Sequence, residues 1–174
     1  MNEIIQQQRW GETPSSPNLM NATQPSEIGR KNPAPGVHVQ AGRQTIVLLT
    51  VTTEGRSPWL ANEQAHRLLR ESWGAATAWL VGDYLMMPDH LHAFCAPHDL
   101  SFTIERWITF WKRDFRRRHG REDWRFQSRG WHYRLRNDES YQTKWIYVQE
   151  NPLRKGLVNS LGVWLYQGRV HHFG

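Results

Sequence analysis

Cysteine is almost missing from this sequence. The 174 residues contain one, Cys95, so no disulfide can form within the chain and no cysteine-based zinc ribbon or finger can be built. Long hydrophobic runs are missing too. No stretch of about 18 uncharged apolar residues occurs, which excludes a transmembrane helix. The first residues, MNEIIQQQRWGETPSS, lack a basic stretch followed by an apolar core, so no secretory signal is expected. Acidic residues are the minority among the charges, 16 against 22 Lys and Arg, for a net +6 and a pI near 9.9. These absences leave a basic, cytoplasmic protein of one-domain length as the expectation.

What is plentiful is tryptophan, with ten residues. Positive charge combined with many aromatics suits a polyanionic partner such as nucleic acid. A net +6 is equally ordinary as a solubility device.

Residues 1–42 are rich in Gln, Asn, Pro, Ser and Gly and show no apolar periodicity. Such a stretch buries too little apolar surface to offset its ordering entropy. It is expected to be a disordered arm or one ordered by a partner, with the folded domain over 43–174. Residues 45–53, TIVLLTVTT, predict a buried strand. Ala65, Leu68, Leu69 and Trp73 recur at helical spacing over 61–73, and Gly74 follows as a stop signal. Residues 77–86 and 90–96 predict two strands joined by the turn Met87-Pro88-Asp89, too close for a crossover and therefore an antiparallel hairpin. Ile104, Trp107, Ile108, Trp111 and Phe115 draw one apolar stripe along a helix at 101–119. A fourth strand is expected at 131–136 and a third helix at roughly 138–150. Asn151-Pro152 ends that helix, because a residue before proline is pushed out of the α region. This order is the split βαββαβ pattern of an α+β, ferredoxin-like antiparallel sheet with helices on one face, here with a C-terminal helix added.

Three constellations carry chemistry. In His90-Leu91-His92 the two imidazoles share one face of a strand, where they can chelate a divalent metal, while Leu91 anchors the other face. Surface histidines that bind nothing are the bland alternative. In the last helix an Asn at its end, Asn151, could turn its amide oxygen to a metal, and two tyrosines, Tyr141 and Tyr147, are available beside it. Local physics does not choose between the two phenols. Finally, residues 112–125 hold seven Lys or Arg against three acids. Lys112, Arg113, Arg116 and Arg117 on the second helix could contact phosphates, or could form a solvated face. Trp107, Trp111, Trp124, Trp131, Trp145 and Trp164 could stack on unpaired bases, although tryptophans on an apolar stripe belong mostly to the core.

These residues resemble a known family. Met87-Pro88-Asp89-His90-Leu91-His92 is similar to the MP(D/N)HxH block of the single-tyrosine HUH transposases. The run from Tyr141 to Val158, YQTKWIYVQENPLRKGLV, is similar to their Y...KxxYVxxNPVRxGLV block, and Trp164-Leu-Tyr-Gln-Gly168 to a WPYQG ending. The branch it resembles is the REP-associated tyrosine transposases, over roughly residues 45–168. The resemblance implies that His90 and His92, with Asn151, hold a divalent metal, Mg²⁺ or Mn²⁺. It implies that Tyr147, four residues before the Asn-Pro, attacks a phosphodiester of single-stranded DNA bearing hairpin or palindromic elements. A 5′-phosphotyrosine and a free 3′-hydroxyl would result. Lys112 aligns with a basic residue that relatives carry on the second helix. Relatives include monomers and homodimers. The fourth-strand region departs from the family, with Gly130-Trp131-His132-Tyr133 where many relatives carry an aromatic–acid–His run.

Two further readings use the same residues. One is a non-catalytic single-stranded nucleic-acid-binding module on the same fold. The other is an unrelated metal-dependent hydrolase, which would need Asp89 or Asp99 as its base.

Overall fold

The computed structural model describes residues 45–135 and 138–173, with residues 138–140 as backbone only. The expected arm at 1–42 lies outside the described residues. The elements run β1 (Val47–Thr52), a 3-10 turn (Glu54–Arg56), α1 (Glu63–Ala75), β2 (Trp79–Met86), β3 (His90–Pro97), α2 (Ile104–His119), β4 (Trp131–Arg134), α3 (Asp138–Gln149), α4 (Asn151–Arg154) and β5 (Gln167–Arg169). They form a five-stranded sheet in the order β4-β1-β3-β2-β5, antiparallel at every pairing. The first four strands reproduce the ferredoxin-like order. The edge strand β5 was not expected from sequence; its three residues are too short to leave a periodic signal.

Helix ends follow local chemistry. Asn62 caps α1 by accepting from the Ala65 N–H at 2.9 Å, and Thr103 caps α2 by accepting from Arg106 at 3.3 Å. The second helix therefore starts at Ile104, the first residue of its apolar stripe and three residues later than the expected 101. Gly74 does not stop α1, which runs through it to Ala75. Gly120 does stop α2, in the left-handed conformation at φ 64°. No helix among the described residues is long and apolar enough to cross a membrane.

Both faces of the sheet are covered. On one, Val47, Leu49 and Val51 of β1 and Leu91, Ala93 and Cys95 of β3 pack against α1 and α2 through Leu69, Trp73, Trp107 and Trp111. On the other, Leu48, Leu85, Met87 and Phe94 pack against Tyr141, Trp145 and Val148 of α3.

A break in β2 decides which residues reach which face. Strict alternation from Trp79 and Val81 would drive Asp83 into the α1–α2 core. Instead the register with β3 shifts between Val81 and Tyr84, as a β-bulge. Tyr84 and Met86 then continue the buried row, and Asp83 emerges towards α3 and β5. There its carboxylate accepts from the Tyr141 hydroxyl at 2.5 Å and from Arg169 through both Nε and Nη2, at 2.8 and 2.7 Å. The neighbouring Gly82 has no room for a side chain, since a Cβ would stand 2.6 Å from the Phe173 ring.

Asp83→Asn should cost about 1–3 kcal/mol, because an amide oxygen in the place of Oδ2 can still accept from Tyr141 and Arg169 Nη2, but the amide NH₂ then faces the Arg169 Nε–H donor to donor and the charge of the ion pair is lost. Tyr141→Phe should cost about 1 kcal/mol. Equilibrium urea denaturation measures both; a Tyr141→Phe loss larger than that of Asp83→Asn would contradict the ordering.

Candidate active site

The side chains of His90 and His92 project from β3 on the α3 side of the sheet, opposite the core that takes Leu91 and Ala93. Their ring centroids are 4.9 Å apart and the planes are nearly perpendicular, at 84°. Each ring is held through Nδ1. His90 Nδ1 lies 2.7 Å from Asp89 Oδ1, and His92 Nδ1 lies 2.9 Å from the hydroxyl of its cross-strand partner Thr50. An ionised carboxylate only accepts, so His90 donates from Nδ1, which in the neutral ring leaves the lone pair on Nε2. Neither Nε2 has a hydrogen-bond partner among the described residues. Burial, with His90 beside it, pushes the His92 imidazole down to about 3, so the ring is neutral near pH 7, the state in which imidazole ligates metals.

Asp89 is itself held. Its other oxygen accepts from Arg56 at 2.8 Å, and its main-chain carbonyl accepts from both the N–H and the hydroxyl of Thr53. Burial works against its charge, but the bonds with His90 and Arg56 more than offset this and hold the carboxyl below its usual range. Arg56 reaches Asp89 from a turn in which Gly55 and Arg56 both take positive φ, 60° and 55°. That conformation costs an arginine roughly 1–2 kcal/mol. The sequence reading missed Arg56; its only signal was the Glu-Gly-Arg turn itself.

The two tyrosines of α3 differ sharply. Tyr141 is half-buried and donates to Asp83, and burial together with that bond pushes its phenol well above the usual range. Tyr147 is 57% exposed, close enough to Tyr133 of β4 that, after burial, it is a second cause of that phenol's raised pKa. Of the two, Tyr147 is the one whose side chain is open to solvent.

The Asn-Pro pair after α3 shapes the next residue. A helix would bond the N–H of residue 152 to the Val148 carbonyl, and Pro152 has no N–H. Asn151 Nδ2 donates to that carbonyl at 3.0 Å instead, which turns its Oδ1 the other way. Arg154 then ties the unit together. Its Nη2 donates to the Tyr147 carbonyl at 2.8 Å and to Asn151 Oδ1 at 3.2 Å, and its guanidinium sits 4.2 Å from the Tyr147 ring centroid. Sequence reasoning missed Arg154 as well, although its place three residues after Asn151 and seven after Tyr147 puts all three near one helix face.

His90, His92, Tyr147 and Asn151 are thus carried on one side of the sheet. Among the described residues no hydrogen bond or ring contact joins Tyr147 or Asn151 to either histidine. Nor does any group of three His, Cys, Asp or Glu occur there that could close around a metal. The donors present are two imidazoles with oriented rings and one amide oxygen. That set fits a labile divalent ion with positions left for phosphate and water, not a closed structural zinc. His132 faces α2 and bonds Glu105 at 3.0 Å, and His119 packs against Phe115 and Trp124, so both lie away from the pair.

Much of the basic segment after Trp111 is paired internally. The Lys112 ammonium donates to the Gln127 carbonyl at 2.7 Å, and burial pushes it down to about 8. Arg117 and Arg118 both bond Asp114 at 2.6 Å. Arg121 pairs with Asp123. Arg113 and Arg116 make no such bond among the described residues, and they line a groove of about 380 Å³ with Trp124 and Arg125. Trp107, Trp111 and Trp124 are buried in the core.

No family model matches the chain, and no curated protein matches it. Among solved structures, the fold matches a REP-associated tyrosine transposase bound to a REP hairpin. The TM-score is 0.60 at 20% identity, over 79% of this chain and 94% of that one. A Deinococcus radiodurans R1 protein assigned as a transposase aligns over 66% of this chain and 97% of its own, at 15% identity and a TM-score of 0.46.

Asp114 gives a pH test of the internal pairing. Burial opposes its charge, but the bonds from Arg118 and Arg117 more than offset it and lower its pKa. A carboxyl depressed in the folded state stabilises fully above its unfolded value, about 3.9, and loses that contribution as pH falls through the folded value. Asp114→Asn should therefore lower the melting temperature at pH 7 and have little effect near pH 2. Equal losses at both pH values would remove the carboxylate's charge from the explanation.

Proposed function

We propose that this chain is a divalent-metal-dependent single-stranded DNA endonuclease and strand transferase of the REP-associated tyrosine transposase kind. The observation that carries this reading is the histidine pair. Both rings are oriented through Nδ1, both Nε2 atoms are unpartnered, and a solvent-accessible tyrosine stands on the same side of a sheet whose fold is shared with a hairpin-bound transposase.

In this reading His90, His92 and the Asn151 amide oxygen hold Mg²⁺ or Mn²⁺. When bound, the ion would neutralise charge on the scissile phosphate and orient it. The Tyr147 phenolic oxygen bonds to phosphorus and its proton leaves. The bond from phosphorus to the 3′-oxygen breaks, and that oxygen takes up a proton. The products are a 5′-phosphotyrosine and a free 3′-hydroxyl, so the bond energy is conserved for joining a second strand without ATP. Arg154, itself ion-paired with Glu150 at 2.7 Å, keeps the Tyr147 ring and the Asn151 amide in fixed relation. Asp89 and Thr50 hold the imidazoles ready, which lowers the reorganisation needed at the moment of reaction. Arg113 and Arg116 supply phosphate contacts along the strand outside the reacting centre, while Lys112 and Arg117 serve mainly the fold.

Two measurements test this. Purified protein with Mn²⁺ and hairpin-bearing single-stranded oligonucleotides should yield an SDS-stable protein–DNA adduct. The adduct should be lost with EDTA and in Tyr147→Phe, and reduced by about 100-fold or more in His90→Ala. Absence of an adduct across a broad oligonucleotide panel, or its survival in Tyr147→Phe, sinks the assignment. Tight binding that ignores EDTA and His90→Ala would point to the non-catalytic module instead. Separately, Arg113→Gln and Arg116→Gln should each reduce the slope of log K against log salt by about 0.7, with Arg117→Gln leaving it nearly unchanged; similar slopes for all three variants would assign Arg113 and Arg116 no special role.

A further inference from the structure

Among the described tryptophans one is exposed. Trp131 opens β4, the edge strand of the sheet, and shows 36% of its surface, while Trp73, Trp79, Trp107, Trp111 and Trp124 are buried. Its register is what makes this informative. Thr50 is the cross-strand partner of Trp131 on one side and of His92 on the other. Trp131, Thr50 and His92 therefore form one row across three strands, on the same sheet face, spanning about 10 Å at the usual strand spacing. Two residues on, Tyr133 shares that face. Its ring packs on the indole with centroids 4.9 Å apart, tilted by 55°, which fixes the indole from behind.

The surroundings are cationic. The Lys144 ammonium lies 5.9 Å from the Tyr133 ring centroid, Arg129 is exposed two residues before Trp131, and the Arg154 guanidinium, paired with Glu150, covers Tyr147. An exposed aromatic face rimmed by positive charge and aligned with a phosphate-directed histidine pair is complementary to a nucleotide: a base for the ring, phosphates for the rim. A duplex cannot use such a surface, because its bases are already stacked.

We propose that Trp131, backed by Tyr133, is a base-stacking platform that grips one unpaired nucleobase of single-stranded DNA beside the scissile phosphate. This rests on the single-stranded DNA reading above. Sequence tolerance follows, since every base offers a π-face. The platform holds the strand in register with the histidines while the charged rim follows the backbone.

The test is a binding titration with fluorescently labelled hairpin oligonucleotides that carry a single-stranded flank, using full-length protein in the presence of EDTA to block cleavage. Trp131→Ala should weaken binding about tenfold, while Trp131→Phe should stay within about threefold. Trp131→Leu, which keeps apolar bulk without a π-face, should behave like Trp131→Ala. The salt slope should be the same in all four proteins, because no phosphate contact is lost. An abasic site walked through the flank should weaken wild type at one position, and there Trp131→Ala should cost nothing more. A fully paired duplex should bind the wild type and Trp131→Ala equally.

The proposal is overturned if Trp131→Ala binds like wild type, if Trp131→Leu retains full affinity, or if no abasic position removes the difference. Failure of wild type to bind any single strand would overturn the function reading itself. Retained binding with these Trp131 results reversed would overturn only the platform.

Discussion

One carboxylate holds the second face of this sheet together. Asp83 takes the Tyr141 hydroxyl from α3 and both nitrogens of the Arg169 fork from β5. It can do so because the bulge in β2 shifts the alternation and brings it out of the apolar row. Without the bulge a charge would enter the core between the sheet and the first two helices, at a cost of several kcal/mol. With it, the same residue anchors the helix that carries Tyr147. The position of the candidate nucleophile therefore depends on a register fault three strands away from the edge that holds Trp131.

The candidate site divides between two halves that are held in different ways. The histidines sit on β3, which is hydrogen-bonded on both sides, and their rings are fixed by Thr50 and by the Arg56–Asp89 pair. Tyr147, Asn151 and Arg154 form a second unit whose members are tied to one another more closely than to the sheet. That unit reaches the sheet through Tyr141, Trp145 and Val148. Within residues 112–125, Arg117, Arg118, Arg121 and Arg125 bond nearby acids or carbonyls, and Arg113 and Arg116 make no such bond among the described residues.

The fold was largely legible in the sequence because its strong elements obey simple periods. The stripe of Ile104, Trp107, Ile108, Trp111 and Phe115 does bury against the sheet, and the hairpin around Pro88 does form. The bulge was not legible, because a Gly-Asp step inside an apolar run does not say which way the phase will shift. β5 was invisible for want of length. At the site, the His-x-His face could be read from strand geometry alone. Helix geometry left the two tyrosines open and only the resemblance favoured Tyr147; the burial of Tyr141 and its bond to Asp83, which distinguish the two in the fold, are not local in sequence. Arg56 and Arg154 make their contacts across a turn and along a helix, and Lys112 and Arg117 are tied to the Gln127 carbonyl and to Asp114, partners that a count of charges cannot see.

The Asn-Pro step has a further consequence for the choice of ligand at 151. A carboxylate there would bind a hard cation more strongly than an amide does. It could not donate to the Val148 carbonyl that Pro152 leaves without a partner, and it would set like partial charges against each other at that point. The amide has two ends of opposite character, one to mend the helix and one to present outward. Aspartate, the nearest isostere, would gain ligand strength and lose aim. In the role proposed for this position a directed weak ligand suits a labile ion better than a strong one, because the ion has to let its phosphate go.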